Sequence, residues 1–440
     1  MKKYLTLLLL LTALPAGAQS KKWTLDECLK YAVENSMRVK KSNAQNNIYH
    51  QNYMEAIGRL LPQLSAGTSG YFNFGRALDD ETNTFANVNS FSNNYEAGGS
   101  LTLFDGLSSI RRVKMEKVTK LMGKQQLQQE KDLIAYETLE AYTHVVYYKQ
   151  MVALAREQAN ESRYNLEQTQ RMEELGVKGF PDVAEMRAKK AADAYNLTKR
   201  QNLLAIGIIL LKEKMSFPID EELDVDESSI NSETTLNNLS AFDIYNQAQH
   251  YLPKAQIGLS SVKIKEAAYR MSKGALSPTI SANGGYSTNF FFMYRTDYSP
   301  FKNQIKDKHG YYMGASLSIP IFSGFSRTAT VKRGKADWIM AQAEYNESLQ
   351  KLYSEIEQAV ADLKGAEAEC FQAKEQVEAM RVAHNVNQQK YEEGLISPLE
   401  LHTGANRLLE AKAAQLNAQL TRALKQKMVL YYKGIPYITE

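Results

Sequence analysis

The sequence predicts a mostly helical, duplicated chain in which each half adds a strand pair to a membrane β-barrel completed by other copies. Three observations predict it: a heptad seam that recurs at a fixed offset, four short strands with one apolar and one small-polar face, and an N-terminal export signal. The seam runs through Tyr345, Leu349, Leu352, Ile356, Ala359, Leu363, Ala366, Cys370, Ala373, Val377 and Met380, its spacing alternating between 4 and 3 without a proline. A sustained 3.5-residue apolar repeat specifies helices packed as a coiled coil rather than one amphipathic surface helix. Subtracting 218 from each position gives Leu127, Lys131, Ile134, Thr138, Ala141, Val145, Tyr148, Val152, Ala155, Ala159 and Ser162, a more polar copy of the seam. The chain therefore carries its long helix twice.

Composition narrows the class further. Among 440 residues Tyr is abundant (26), whereas Trp (2), Cys (2) and Pro (10) are scarce. Residues 1–18 read as a signal peptide: Lys2 and Lys3, an apolar run from Tyr4 to Leu11, and Ala16-Gly17-Ala18 as a small-residue cleavage site. The run is too short to span a bilayer as a helix. Cleavage removes two of the 53 Lys and Arg and leaves the 49 Asp and Glu, a near-neutral chain with no electrostatic footprint for nucleic acid. Cys28 and Cys370 imply no disulfide framework, and neither follows the signal as a lipid-acceptor cysteine would.

In chain order, Thr24 and Glu27 are placed as a capping box for a first helix that runs to about Leu60, with Ser36 a break and Pro62 its end. The first repeat spans residues 19–214. Its apolar period becomes two at residues 64–75 and 94–104, which read as strands on either side of a Ser/Asn-rich loop. Phe104-Asp105-Gly106 closes the second strand, and a long helix follows at 107–175. At 1.5 Å per residue it is a rod roughly 100 Å long. The chain turns at Gly176 to Pro181 and returns in a helix over 182–214. Residues 215–240 read as a linker or small cap between halves. The second repeat, 241–432, follows the same plan. A helix capped by Ser240 and Asp243 runs to about Gly274, strands occupy 279–289 and 311–321, and a long helix 325–393. The turn runs from Gly394 to Pro398 and the return helix covers 398–432, leaving 433–440 as a tail.

The strands set Leu64, Ala66, Phe72, Leu101, Leu103, Ile280, Tyr286, Met313 and Leu317 against Ser65, Gly67, Ser69, Ser100, Thr102, Ser281, Asn283 and Ser316. Aromatics gather at their ends as Phe72, Phe74, Tyr95, Phe104, Tyr286, Tyr311 and Phe322. Apolar outside, polar inside and aromatic girdles are the pattern of a barrel in lipid. A soluble hairpin with one buried face is the plainer reading, but the export signal and the aromatic ends favour lipid. Four strands cannot close a membrane barrel, whose minimum is about eight, and open edges are not tolerated in hydrocarbon. The barrel must be shared between chains. The long helices, rich in Glu, Gln, Lys and Arg, must leave it at one end, with both hairpin loops at the other.

The order of these elements resembles the TolC-like outer-membrane efflux factor family over nearly the whole exported chain. The local marks are Leu25-Asp26-Glu27-Cys28-Leu29, the pair Leu103-Phe104-Asp105-Gly106 and Ile321-Phe322-Ser323-Gly324, and the run Tyr391-Glu392-Glu393-Gly394-Leu395-Ile396-Ser397-Pro398-Leu399-Glu400-Leu401. The resemblance implies a homotrimer whose four strands per chain form a shared twelve-stranded barrel in the outer membrane. It also implies an α-helical periplasmic tunnel reaching a periplasmic adaptor protein and an inner-membrane transporter. Carboxylates at the position of Glu400, six residues past the turn glycine, ring the narrow tunnel entrance in that family; Asp182 is its counterpart in the first repeat. Three copies would focus a negative field, whereas the plainer role of both is to cap helix N-termini. Where the family can carry a second Asp this chain has Thr403, and where it can carry a turn-latching Arg it has Ile396. That leaves Tyr391 and apolar contacts to hold the gate.

Nothing points to catalysis. The six His (50, 144, 250, 309, 384 and 402) lack metal-ligand spacing; His384 follows the seam as a structural residue, and His402 reads as a surface residue. No nucleophile elbow, phosphate loop or dinucleotide fingerprint appears, so neither enzyme nor cofactor is expected. Tyr71, Tyr312 and Glu96 face the expected lumen. The reading is thus a passive duct gated at its periplasmic tips; the alternative is an exported periplasmic coiled-coil scaffold without channel activity.

Overall fold

A computed structural model describes residues 21–78, 83–87, 89–230, 239–294 and 299–438. The expected signal peptide (1–18) lies outside them, as do parts of the expected linker and of both hairpin loops. Strand β1 (Lys22–Trp23) leads into α1 (Leu25–Asn35) and α2 (Met37–Gly58), then β2 (Gln63–Asn73), β3 (Arg76–Leu78), β4 (Phe85–Asn87) and β5 (Ser90–Phe104). Helix α3 (Ser108–Glu174) and the return helix α4 (Phe180–Met215) complete the first repeat. Strand β6 (Asp224–Val225) precedes α5 (Ala241–Tyr251), α6 (Pro253–Gly274), β7 (Thr279–Met293), α7 (Phe301–Asp307) and β8 (Gly310–Ser318). Helix α8 (Ser326–Glu392) and its return helix α9 (Pro398–Tyr432) end the second repeat.

The duplication is close to residue-for-residue. Helices α3 and α8 are both 67 residues long, α1 and α5 both 11, and α2 and α6 both 22. The offset is not constant, however. Thr24 and Ser240, which cap α1 and α5, are 216 apart, whereas Gly176 and Gly394 are 218 apart. The second hairpin absorbs two extra residues, and from there the single offset of the seam holds.

The chain divides into two compact units. One comprises the described residues of Met1–Asn43, Gln126–Gln256 and Ser348–Glu440. Its apolar core joins Leu25, Cys28, Leu29 and Ala32 of α1 to Ile134, Leu139, Tyr142 and Val146 of α3 and Leu211 and Met215 of α4. A second cluster packs Ile244 and Ala248 of α5 on Leu352, Ile356, Ala359 and Leu363 of α8. The α8 seam therefore faces inward as its spacing requires. Helix α3 buries a wider face than its seam, because Leu139, Tyr142 and Val146 meet α1 and the short strands on the far side.

Three sequence expectations change in this unit. Residues 215–240 are more than a linker: β6 pairs in parallel with β1, and the Tyr142 hydroxyl ties the pair to α3 by donating to the Asp226 and Trp23 carbonyls (2.6 and 3.0 Å). The helix expected to run unbroken to Gly274 is interrupted at Leu252 in extended conformation, because Pro253 bars helical geometry in the residue before it. Ser36 interrupts the first repeat at the same place. Finally, residues 433–438 do not form a loose tail. Tyr437 is buried and stacks on Tyr431 at 4.7 Å, while residues 439–440 lie outside the described part.

The other unit comprises Ala44–Gln125 and Ile257–Glu347. It holds a four-stranded antiparallel sheet in the order β2-β5-β7-β8. Strands β5 and β7 start earlier or run further than their alternation suggests, to 15 residues each, whereas β8 stops at Ser318, two residues before Pro320. Beyond the start of β8 at Gly310, α7 covers the exposed edge of β7. The Gln304 side chain accepts from the Phe291 amide at 3.1 Å and donates to the Phe291 carbonyl at 3.0 Å, replacing a neighbouring strand. At the helix end, Gly106 takes φ +67° and a Cβ there would fall inside the Gly274 carbonyl, so only glycine fits this turn.

Candidate channel wall and helical tips

The register turns the alternating pattern of the strands into two continuous faces. Ser65 pairs with Gly98, Gly98 with Gly285 and Gly285 with Tyr312; Ser100 pairs with Asn283 and Asn283 with Gly314. These polar and small residues form one face. On the other, Leu64, Gly99, Gly284 and Met313 stand in line, as do Ala66, Ala97, Tyr286 and Tyr311. A one-residue slip in any pair would exchange the faces. The apolar face is bare: Leu64, Met313 and Leu317 are 83, 93 and 62% exposed. Among the described residues, β2 and β8 each present one edge with no neighbouring strand.

The aromatic residues gather at the two ends of the sheet. At the loop end Phe72 meets Phe91 at 4.6 Å, Phe301 meets Phe290 at 5.2 Å, and Tyr286 meets Tyr311 at 5.2 Å. At the helix end Phe322 meets Phe325 at 5.6 Å, and Phe104 is the last residue of β5. Tyr95 and Phe104, nine residues apart on one strand, are about 30 Å apart at 3.3 Å per residue. A strand tilt near 40° reduces this to a height of about 23 Å, close to the ~25 Å apolar band of an outer-membrane barrel. No described helix is long and apolar enough to cross a membrane, which says nothing of a barrel.

The first compact unit contains both turns that join long and return helices. Gly176 and Gly394 have φ +72° and +78°, the left-handed conformation that ends a helix where glycine costs least. Pro181 and Pro398 stand in the first turns of α4 and α9, where a missing amide is harmless. Both candidate carboxylates act as caps. Asp182 accepts from the Gly179 amide at 3.0 Å, Glu400 from the Ser397 amide at 3.0 Å, and the Ser397 hydroxyl accepts from the Glu400 amide in return. Glu400 remains exposed.

Tyr391 is fully buried among Leu166, Val183, Met186 and Leu401, and Ile396 packs against them. Its hydroxyl lies 2.5 Å from that of Thr169, which in turn donates to the Asn165 carbonyl at 2.7 Å. Burial raises the pKa of the phenol, which stays neutral. Sequence reasoning missed the residue that clamps this cluster, Lys178. Its ammonium donates to the Ile396 carbonyl at 2.9 Å and sits 5.1 Å over the Tyr391 ring, joining the two turns. Lys178 stands 218 residues before Ile396, so a repeat-by-repeat comparison could have found the cation missing from the second turn.

Above this cluster the packing is polar. Gln158, Ser162, Asn165 and Thr169 of α3 are buried, as is Asp193 of α4, which pairs with Lys189 at 2.8 Å. His402 is buried too, contrary to the surface position expected of it. Leu401, His402, Ala405 and Leu408 share the inward face of α9, and His402 falls in that period. Its Nε2 has no hydrogen-bond partner, and burial lowers its pKa to about 4, with Lys189 acting in the same direction. His384 places Nε2 3.1 Å from Glu161. No group of three or more metal-ligating side chains occurs among the described residues.

Against known proteins, residues 260–428 match the outer membrane efflux protein family. No curated protein matches in sequence. The fold of the whole chain is that of several solved outer-membrane channels. It superposes on OprN with a TM-score of 0.80 at 17% identity, covering 94% of this chain and 90% of that one. For CusC the TM-score is 0.79 at 15% identity, covering 95% of each chain, in structures described in terms of folding and transmembrane channel formation. For the open state of MtrE from Neisseria gonorrhoeae it is 0.77 at 18% identity, covering 95% of this chain and 91% of that one. The protein thus has the architecture of the TolC-like outer-membrane efflux proteins, and its second repeat carries the sequence pattern of the outer membrane efflux protein family.

Proposed function

We propose that the protein is the passive outer-membrane exit duct of a tripartite export system, assembled as a homotrimer and gated at its helical tips. The observation that carries the proposal is the four-stranded sheet with one bare apolar face, one polar face and two edges without a neighbouring strand. In water such a sheet would expose Leu64, Met313 and Leu317 and leave two edges open to aggregation. In lipid, three copies edge to edge satisfy every backbone group and close a twelve-stranded barrel. The chain supplies a path, not energy; the driving force comes from an inner-membrane transporter, and an adaptor protein meets the tips. Support for adaptor docking comes from Leu175, Phe180, Leu395 and Leu399, apolar side chains left 79, 71, 68 and 62% exposed around the two turns.

At the tips, Lys178 and Tyr391 lock one turn to the other, and three copies of Glu400 form an anionic ring that selects for cations. Asp182 contributes a more distant negative field. Light scattering of the detergent-extracted protein, with the detergent mass subtracted, tests the assembly. Three chains per particle are expected; a monomer that stays soluble without detergent would refute the duct and leave an exported scaffold. In planar bilayers, Glu400→Gln is expected to lower cation selectivity, and unchanged selectivity would refute the ring.

A further inference from the structure

The polar face of the sheet is not uniform. Around Glu96 and Tyr312 it is hollowed by glycines: a side chain on Gly98 or Gly285 would press on Tyr312, and one on Gly67 would stand beside Glu96. A Cβ on Gly67 would lie 3.6 Å from a Glu96 carboxylate oxygen, one on Gly98 3.3 Å from the Tyr312 hydroxyl, and one on Gly285 2.8 Å from the Tyr312 ring. Glycine at 98 and 285 leaves the Tyr312 ring room against the wall. Between them is a hollow of about 400 Å³ lined by Gln63, Ser65, Glu96, Ser100, Asn283 and Tyr312. No Lys or Arg lines it. It therefore offers one full negative charge, an aromatic ring, two carboxamides and three hydroxyls.

We propose that this hollow is a subsite for organic cations, namely planar or aliphatic ammonium, amidinium or guanidinium groups carried on an apolar body, on the inner wall of the barrel. The assignment of this face as inner rests on the channel reading given above. The chemistry is complementary at each point. The Glu96 carboxylate pairs with the cationic head, as a charge-assisted hydrogen bond does. The Tyr312 ring offers a face to the same charge. The amides of Gln63 and Asn283 and the hydroxyls of Ser65 and Ser100 take the remaining donors and acceptors of a polar solute. The glycine floor gives its apolar body a flat surface. An anionic solute finds no cation here and is repelled by Glu96. In a trimer the hollow occurs three times around one cross-section, so a cation leaving one copy meets the field of the next.

Benzamidinium is a suitable probe, since it carries a planar cation that a carboxylate can grip with two hydrogen bonds; neutral benzamide has the same shape without the charge. Titration calorimetry on the detergent-extracted trimer is expected to show benzamidinium binding and no benzamide binding. Glu96→Gln should weaken it about fivefold, the value of a close charge pair at the water-exposed limit. In planar bilayers, benzamidinium added from the loop side should block current, with the half-blocking concentration raised by a similar factor in Glu96→Gln. Block that arises only from the helical side and ignores Glu96→Gln would place the cation site at the Glu400 ring and overturn the proposal. So would equal affinity of the native and Glu96→Gln proteins, or equal binding of benzamide. Binding that depends on Glu96 in a protein that never conducts would uphold the subsite and refute the channel.

Discussion

Acidification is predicted to loosen the helical tips before it affects the apolar cores. The perturbation acts on His402, whose imidazole is buried with Nε2 unpartnered, in the field of Lys189, Asp193 and Glu161. Burial, reinforced by the Lys189 ammonium and opposed by Asp193 and Glu161, moves its pKa from 6.5 to about 4. The ring is therefore neutral when the tip is packed and takes up a proton when the tip opens. With a depressed pKa in the packed state, stability is full above pH 6.5, declines as pH falls through that value, and stops declining below about pH 4. Linkage gives a penalty of about 2 kcal/mol near pH 5 and about 3 kcal/mol at its limit. Near pH 5 the opened tip is thus populated about thirtyfold more than at neutral pH.

Hydrogen exchange measured by mass spectrometry and corrected for intrinsic rates reads this directly. Peptides spanning 384–410 should lose protection near pH 5, while those spanning 134–146 and 352–363 should not. Those segments are held by apolar contacts and, near α1, by a carboxylate that keeps its charge at this pH. That carboxylate is Glu137: burial works against its charge, but hydrogen bonds from Arg38 and Lys214 outweigh it and hold its pKa below the usual value. His402→Leu fits the same face, removes the titrating group and should abolish the pH dependence. Unchanged tip protection in acid, or the same loss in His402→Leu, would refute the reasoning.

Three further outcomes are expected. Lys178→Met removes the hydrogen bond to the Ile396 carbonyl and the charge over Tyr391, a loss of about 1–2 kcal/mol at the turns; conductance in planar bilayers should rise. Gly106→Ala forces an alanine to φ +67° against the Gly274 carbonyl, costing at least about 1–2 kcal/mol, and the yield of extractable trimer should fall. Gly365→Ala acts in the opposite sense: this exposed glycine inside α8 has open space at its Cβ, and thermal unfolding should shift upward by the equivalent of about 1 kcal/mol.

The parts of this fold that obey a period were legible in the sequence. The seam of α8, the alternation of the strands and the turn glycines each impose a rule on the chain that leaves a mark in residue type. What escaped notice lacks such a mark. Strands β1 and β6 are two residues each and pair across 202 positions, so no local pattern distinguishes them from linker. The break at Pro253 was written in the sequence but was outweighed by the helical period on both sides. Gln304 works as a strand substitute only because β8 begins at Gly310 and leaves Phe291 without a neighbour on that side, a fact of tertiary structure. Alternation predicted that one face of the sheet is apolar, and the export signal and aromatic ends, not alternation, predicted that this face meets lipid. At the tips, Asp182 and Glu400 were reached by counting six residues from the turn glycines, and Tyr391 through the family resemblance and the Ile396 that stands in place of a latching Arg. Lys178 was missed because its partner is a backbone carbonyl; only its contrast with Ile396 across the 218-residue offset marks it in the sequence.

The duplication explains where specific chemistry sits in this chain. Two copies of one hairpin plan need the same residues wherever the fold alone is at stake, and there they agree: Gly176 with Gly394, Gly106 with Gly324 and Phe104 with Phe322. They differ where one copy has a task. Lys178 faces Ile396 across the offset, and the first copy's ammonium reaches the second copy's carbonyl. Tyr391 answers to Glu173, so the buried phenol exists once, under the clamp of the other turn. His402 answers to Ala184, which places the titrating imidazole in one repeat only. A tip built from two identical turns would open symmetrically or not at all. With the cation, the phenol and the imidazole divided between copies, the contact that closes the turns lies between repeats, and separating the two turns breaks it in a single step. Exchanging Lys178 and Ile396 tests this. The double substitution keeps composition and turn type, but moves the ammonium away from the Tyr391 ring and should open the tip as far as Lys178→Met does. If the exchange left conductance at the native level, charge anywhere at the turns would suffice, and the divided clamp would be wrong.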